Sequence, residues 1–313
     1  MEEPGARKPQ LIVYRMDGYT LPKRSGGLKC GDFWCKLRHG QTNVSGADLA
    51  VFSEIDVQHF VHPPNKRPSD VWAFFSKETQ TTLNITKSLP EWNGMFNYSA
   101  TFDRNNEANM HVFRAELERI TPSGSIKFSP TPRMKPLRAL WYLSHCSSEN
   151  NHHGIRSGRE QYVLELSKHI PIDIYSASEK PFCRQVFGDL VKEHGTPEPD
   201  MSDYMFYFSF ENSLCRDCVT EKLWKVLESN STTIPIALGG TSIEDYEIVA
   251  PPNSFIHVKN FTSPAALAEH LRYVAENDEA FHYYNQWRNE FTLVSHLRRG
   301  HGGDYLNLMP SLA

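Results

Sequence analysis

Three stretches of the sequence combine acids, amides and cations in spacings that can bind an anion or move a proton. One runs from Phe210-Glu211-Asn212 through Val219-Thr220-Glu221-Lys222. An aromatic strand, a short loop and a helix start in that order direct backbone N–H groups and a lysine toward one anion. Glu221 is the residue type that grips a ribose diol, beside a plainer reading as a capped surface helix with Lys222 in solvent. A second stretch, Ser144 to Arg159, is a long polar loop leading into a helix, a natural seat for phosphate oxygens. It has neither the G-x-G-x-x-G nor the P-loop pattern, which argues against a nicotinamide or ATP site. His145, His152 and His153 are potential metal ligands, but no carboxylate or cysteine spacing completes a set, so no metal site is expected. The third stretch is Trp72 to Glu78, where an acid following an aromatic strand can serve as a general base. Lone surface glutamates are commoner than catalytic ones.

The elements around these stretches divide at the proline-rich segment from Ser129 to Pro136, whose prolines exclude helix and stiffen the chain. The expected organisation is a polar tail at 1–9, a first domain at 10–130, a linker at 131–136, a second domain at 137–290 and a tail at 291–313. The first domain holds short strand-like runs such as Leu11–Tyr14 and Asp48–Phe52. The second alternates regularly: strand at Leu137–Leu143, helix capped by Ser157, strand at Ile172–Tyr175, strand at Met205–Phe210. A helix follows near Thr220, then a strand at Ile234–Leu238 closing on Gly239-Gly240. Ser263 with Pro264 at the first helical position opens a helix striped by Leu267, Leu271 and Val274. Such alternation implies a mostly parallel sheet with helices on both faces, and ligands beyond the carboxyl ends of its strands.

Bulk properties narrow the function classes. The chain has 313 residues, 39% hydrophobic and 22% charged, enough for two cores of ordinary size. A net charge of −4 gives no basic field for nucleic acid or an anionic membrane surface. No run of 18 apolar residues occurs, so no membrane-spanning helix is expected, and the polar opening is no secretory signal. Five Asn-x-Ser/Thr sequons stand at Asn43, Asn84, Asn97, Asn230 and Asn260, where ordinary usage gives roughly two. The excess points to a lumenal history, with any membrane anchor lying outside this chain. Six cysteines at 30, 35, 146, 183, 215 and 218 allow 15 connectivities. Cys215-Arg-Asp-Cys218 has the spacing of a dithiol redox motif without other thioredoxin features. A Cys30–Cys35 loop and a Cys146–Cys183 bridge would suit an oxidising compartment.

The segment from Phe210 to Trp224 closely resembles the signature of the α1,3-fucosyltransferases. The resemblance continues through Ile234–Gly239, Pro252–Val258 and the helix after Ser263 to Trp287-Arg288, and upstream through Gly154–Ile174. In the first half Ala47–Phe52, Trp72–Glu78 and Phe96–Phe102 are similar more loosely. What it implies is an α/β, GT-B-like fold, with two Rossmann-like domains facing across a cleft. The second domain would hold GDP-fucose and the first a GlcNAc-containing acceptor on a glycoprotein or glycolipid. By position, Arg159 and Lys222 would bind the pyrophosphate, Glu221 the ribose, Glu211 and Asn212 would sit by the donor, and Glu78 would be the base. The reaction implied is fucosyl transfer with inversion to an α1,3-type linkage, in protein glycosylation in the Golgi lumen. No tightly bound cofactor is expected, a divalent cation (Mn or Mg) entering only as a stimulant. The sequence departs from the family at Cys218, where tyrosine is usual, at His145, at Thr79-Gln80 and at Asn105–Glu107. The alternative these departures raise is a weakened or inactive relative that binds GDP-sugar or glycan as a partner protein.

Overall fold

The computed structural model describes residues 10–14, 26–30, 33–40, 47–53, 57, 63–76, 89–104, 116–120, 135–143, 157–176, 181–192 and 199–294. The chain divides into two compact units, residues 1–112 with 296–313, and residues 113–295.

The first unit is built on a six-stranded sheet. Its strands are β1 (Gln10–Tyr14), β2 (Gly26–Cys30), β3 (Phe33–Gly40), β4 (Leu49–Ser53), β5 (Trp72–Phe75) and β6 (Tyr98–Ala100), in the order β2-β3-β1-β4-β5-β6. The β2–β3 pair is antiparallel, and β1 runs parallel to both β3 and β4, as β4 does to β5 and β5 to β6. Residues Ala50 to Ser53 are all buried, the signature of a parallel strand covered on both faces. Phe52 and Trp72 pack with ring centroids 4.7 Å apart, and Trp92 stacks on Phe96 at 5.5 Å. The Asn97 side-chain carbonyl accepts the Trp72 N–H at 2.9 Å and the Lys66 ammonium at 2.7 Å, which fixes the entry to β5.

The second unit carries a five-stranded parallel sheet. In chain order its elements are β7 (Glu116–Arg119), β8 (Ala139–Leu143), α1 (Arg159–Ser167), β9 (Ile172–Ser176), α2 (Pro181–Phe187), β10 (Phe206–Phe210) and α3 (Glu221–Leu227). There follow β11 (Ile234–Leu238), α4 (Glu244–Glu247), β12 (Ile256–His257), α5 (Pro264–Glu276), α6 (Asp278–Tyr283) and β13 (Phe291–Val294). The sheet order is β12-β11-β10-β8-β9, every pair parallel. Strand alternation sorts the side chains. Phe206, Phe208 and Phe210 of β10 join Ile234, Ile236 and Leu238 of β11 in one core with α1 and α5. On the opposite face Ala237 packs with Leu223, Trp224, Tyr246 and Trp287. Pro235 is tolerated inside the sheet, although it can donate no ladder hydrogen bond. The Ser263 hydroxyl caps α5 by accepting the Ala266 N–H at 3.1 Å, as expected.

The structure differs from the expected organisation in three places. The division falls between Val112 and Phe113 and not at the proline-rich segment, because β7 pairs antiparallel with β13 inside the second unit. The same pairing places residues 291–294 in a strand of that unit, where a tail was expected from 291. Helix α1 begins at Arg159 with Gly158 at the cap, its φ of 70° lying in the left-handed region that favours glycine. Ser157 does not cap it; its buried hydroxyl has no hydrogen-bond partner.

Candidate active site

The order of the parallel sheet creates one topological switch, between β8 and β10, since the chain leaves β8 first toward β9 and later returns to β10 on its other side. Open parallel sheets bind ligands at such a point. Arg159 opens α1 after the loop that follows β8, and its side chain reaches the carboxyl end of β10. Its guanidinium donates to the Phe210 carbonyl at 3.0 Å and to the Asn212 side-chain carbonyl. It also bonds the Glu160 carboxylate at 3.3 Å and lies 5.5 Å from the centre of the Trp141 ring. Arg159 is 2% exposed. Burial lowers its pKa from the ordinary arginine value, with Glu160 and Glu211 opposing the shift, and a guanidinium stays charged across the physiological range.

A second set of groups meets just past β10. Glu211 is buried, and one of its oxygens accepts the Thr220 N–H and hydroxyl, both at 2.8 Å. The other accepts the Lys222 ammonium at 2.9 Å. Lys222 further bonds the Thr220 hydroxyl at 2.8 Å and Glu221 at 3.2 Å. Desolvation alone would lower the lysine's pKa, but the Glu211 and Glu221 carboxylates overcome it and raise the value above the ordinary one. The cation is therefore fixed at neutral pH. Ser209, which points to the opposite face from its phenylalanine neighbours, donates its hydroxyl to the Lys222 carbonyl at 2.8 Å. This bond ties β10 to α3.

The floor of this cluster comes from residues that sequence reasoning did not single out as a site. Gly239 directly follows β11, and a Cβ there would stand 2.2 Å from the Tyr246 hydroxyl and 2.6 Å from Glu211 Cγ. Glycine is what lets Glu211 and Tyr246 approach. Tyr246 is fully buried, its hydroxyl has no hydrogen-bond partner, and burial together with the Glu211 and Asp245 charges holds its pKa well above the usual range. His257 packs edge-on to Tyr246 at 5.0 Å and accepts the Lys259 N–H at 3.2 Å. Burial pushes its pKa down to about 4, against a raising contribution from the Gly239 backbone. Asp245 accepts from the Thr241 N–H at 2.7 Å and its hydroxyl at 3.0 Å, closing the turn after β11. The Gly239-Gly240 pair after a buried strand was the available signal for this floor.

The structure thus brings Arg159, Asn212, Glu211, Glu221 and Lys222 to the carboxyl edge of one sheet. Glu78, Asn43, Asn84, His145, His152 and His153 lie outside the described residues. Of the other sequons, Asn97, Asn230 and Asn260 are exposed, with the Asn97 carbonyl already engaged as described. Among the described residues no three His, Cys, Asp or Glu are grouped to hold a metal, and no helix is long and apolar enough to cross a membrane. Cys215 and Cys218 form a disulfide, a pairing not favoured beforehand, and Cys183 is also disulfide-bonded.

A parallel α/β sheet with a buried arginine and a paired lysine at its carboxyl edge defines the class; the comparisons with known proteins give the family. Residues 132–302 match the model of glycosyltransferase family 10 (fucosyltransferase), C-terminal part, and the chain belongs to that family. It is 29% identical to alpha-(1,3)-fucosyltransferase fut-1 of Caenorhabditis elegans, over 93% of this chain and 61% of that protein. It is 30% identical to glycoprotein 3-alpha-L-fucosyltransferase A of Drosophila melanogaster, over 83% of this chain and 48% of that protein. The chain therefore spans about half to three-fifths of these relatives. Among solved structures it is similar to an α1,3-fucosyltransferase with GDP, at a TM-score of 0.52, 14% identity, and coverage of 100% of this chain and 90% of the other. A structure of an α1,3-fucosyltransferase with GDP-fucose matches with a TM-score of 0.50 and 14% identity, covering 92% and 84%. These likenesses identify the fold as α/β and GT-B-like.

Proposed function

We propose that this protein transfers L-fucose from GDP-fucose to a GlcNAc-containing glycan, with inversion and formation of an α1,3-type linkage. The observation that carries the reading is Arg159, a buried guanidinium locked onto the Phe210 carbonyl and Asn212 at the switch point of a parallel sheet. Beside the same strand end, Glu211 and Thr220 hold the Lys222 ammonium.

In this scheme Arg159 and Lys222 neutralise the pyrophosphate in the ground state and more strongly as GDP departs, which is where charge develops. Glu221, exposed at the start of α3, takes the ribose hydroxyls. Asn212 orients Arg159, and Glu211 acts through Thr220 and Lys222. Glu78 takes the proton from the acceptor hydroxyl as it attacks the anomeric carbon opposite the leaving group, the geometry inversion requires. No tightly bound cofactor enters, and Mn or Mg would act as a stimulant only. The acceptor would be carried on glycoprotein or glycolipid in the Golgi lumen. Exposed Asn97, Asn230 and Asn260 are compatible with glycosylation there.

The test is release of GDP from GDP-fucose with and without a panel of GlcNAc-containing acceptors, followed by linkage analysis of the product. Acceptor-dependent release and an α1,3-fucosylated product are expected; GDP-fucose left intact with every acceptor overturns the assignment. A second reading, a binding protein without turnover, draws on Cys218, which stands where the family usually has tyrosine and is consumed in a disulfide. GDP-fucose binding without release would select it.

A further inference from the structure

The Cys215–Cys218 disulfide closes a four-residue ring between the two halves of the candidate donor site, with Glu211 and Asn212 before it and Thr220 to Lys222 after it. The Cα atoms are 5.3 Å apart, an ordinary span for a disulfide. Inside the ring the Cys218 N–H donates to the Cys215 carbonyl at 3.2 Å, and just after it the Val219 N–H donates to the Asp217 carbonyl at 2.7 Å. Asp217 has a φ of 62°, in the left-handed region that glycine, asparagine and aspartate adopt most readily and that turns the chain sharply here. Cys218 is 1% exposed, and Asp217 is buried with its backbone N–H against the Asp245 carboxylate. Cys215 is half-buried, and its neighbours Leu214 and Arg216 are exposed. Cys218 is thus the buried member of the pair and Cys215 the less buried one.

A ring this short stabilises the whole fold little, because the loop-closure entropy that a disulfide removes grows with loop length. Its effect is local. It closes the Asp217 turn, which lies between Glu211 and the Thr220–Lys222 pair and is tied to Asp245 after β11 through the Asp217 N–H. We propose that the Cys215–Cys218 disulfide is a redox-sensitive positioning element of the donor site. Closed, it keeps Lys222 and Thr220 in place for the GDP-sugar; opened, it lets the turn relax and weakens donor binding. The inference rests on the donor-site reading above. Opening needs a dithiol reductant. One of its thiolates attacks the sulfur of Cys215, the less buried of the two residues, and Cys218 leaves as a thiolate. The reagent's second thiol then resolves the mixed disulfide. Two electrons and two protons pass to the cysteine pair, and the reagent becomes a cyclic disulfide.

The experiment compares the full chain with a Cys215→Ser/Cys218→Ser variant. GDP affinity, donor KM and kcat are measured oxidised, after a small dithiol, and after re-oxidation. Because Cys183 is also disulfide-bonded, thiol labelling read by mass spectrometry reports which pair has opened. Reduction of the wild type should raise the GDP Kd and donor KM by about 5–10-fold, in the range of ordinary site coupling, with kcat within about twofold and full recovery on re-oxidation. The serine variant should start with the raised KM and respond no further. A variant with wild-type KM, or an equal response to dithiol in both proteins, overturns the proposal. Should the variant fail to fold, the wild-type titration decides alone: KM must track the labelled fraction of Cys215 and Cys218, and a KM that stays flat as they open overturns it. Oxidised wild type that binds no GDP overturns the donor-site reading itself, and the latch with it.

Discussion

At the scale of single residues, the arrangement separates groups that would meet ligand from groups that hold them. Glu211 is buried and spends both carboxylate oxygens on Thr220 and Lys222, so it acts through its neighbours. Replacing Lys222 with Ala should weaken GDP binding by about 1.5–3 kcal/mol, the usual worth of a hydrogen bond to a charged group. The same change strands a buried carboxylate, so the melting temperature should fall as well. Adding Glu211→Gln should recover stability but not affinity, and calorimetry beside thermal melting separates the two effects. Stability without recovery of affinity supports the assignment; full affinity in Lys222→Ala removes it. For Glu78 the expectation is different. Glu78→Gln keeps size and hydrogen bonding but cannot accept a proton, so transfer should drop roughly 10²–10⁴-fold while GDP affinity stays unchanged. Normal turnover in that variant would place the base elsewhere.

At the scale of elements, the site depends on how closely two strand ends approach. Strand β10 sends Phe206, Phe208 and Phe210 into one core and gives Ser209 to the other face, where it bonds α3. Strand β11 ends at Leu238, and both Glu211 and Tyr246 pack against the next residue, Gly239. Gly239→Ala places a methyl where the Tyr246 hydroxyl and the Glu211 side chain already are. Overpacking of this kind costs about 1–3 kcal/mol, and the shift should displace Glu211 from Thr220. Chemical denaturation should therefore show lower stability, and GDP affinity should fall with it. A tolerated Gly239→Ala with unchanged affinity would mean that the floor of the cluster is not tightly packed.

At the scale of the molecule, the second unit should carry an acid limb in its stability. His257 is fully buried, with burial lowering its pKa to about 4, while in the unfolded chain it titrates near 6.5. Between those values the unfolded state binds the extra proton, so stability rises with pH from about 4 to 6.5 and is lost as the pH falls through that window. The expected size is up to about 3 kcal/mol. Denaturation midpoints for the wild type and His257→Phe across pH 4 to 7 check it; parallel profiles would show that His257 does not contribute.

Much of this was legible in the sequence. Leu137–Leu143, Met205–Phe210 and Ile234–Leu238 read as strands because a parallel strand buried on both faces is a continuous apolar run, and the observed strands start at Ala139, Phe206 and Ile234. Ser263-Pro264 announced α5 through local capping chemistry, which depends on neighbours in the chain. The candidate donor residues were legible as types in an ordered series of motifs. Their partnerships were not. Arg159 and the Phe210 carbonyl are 51 positions apart, and nothing local says that β8 lies between β9 and β10; sheet order decided that. Burial turned Glu211 from a group beside the donor into the buried acceptor that holds Thr220 and Lys222. Sequence reasoning favoured a Cys30–Cys35 loop and a Cys146–Cys183 bridge and left Cys215 and Cys218 as a pair with redox spacing, whereas the Asp217 turn brings these two within bonding range. Covalent neighbours fix local backbone preference and the polarity of each face. Which buried charge meets which donor is a matter of long-range packing in a medium where an unpaired charge is costly, and the tertiary fold alone sets it.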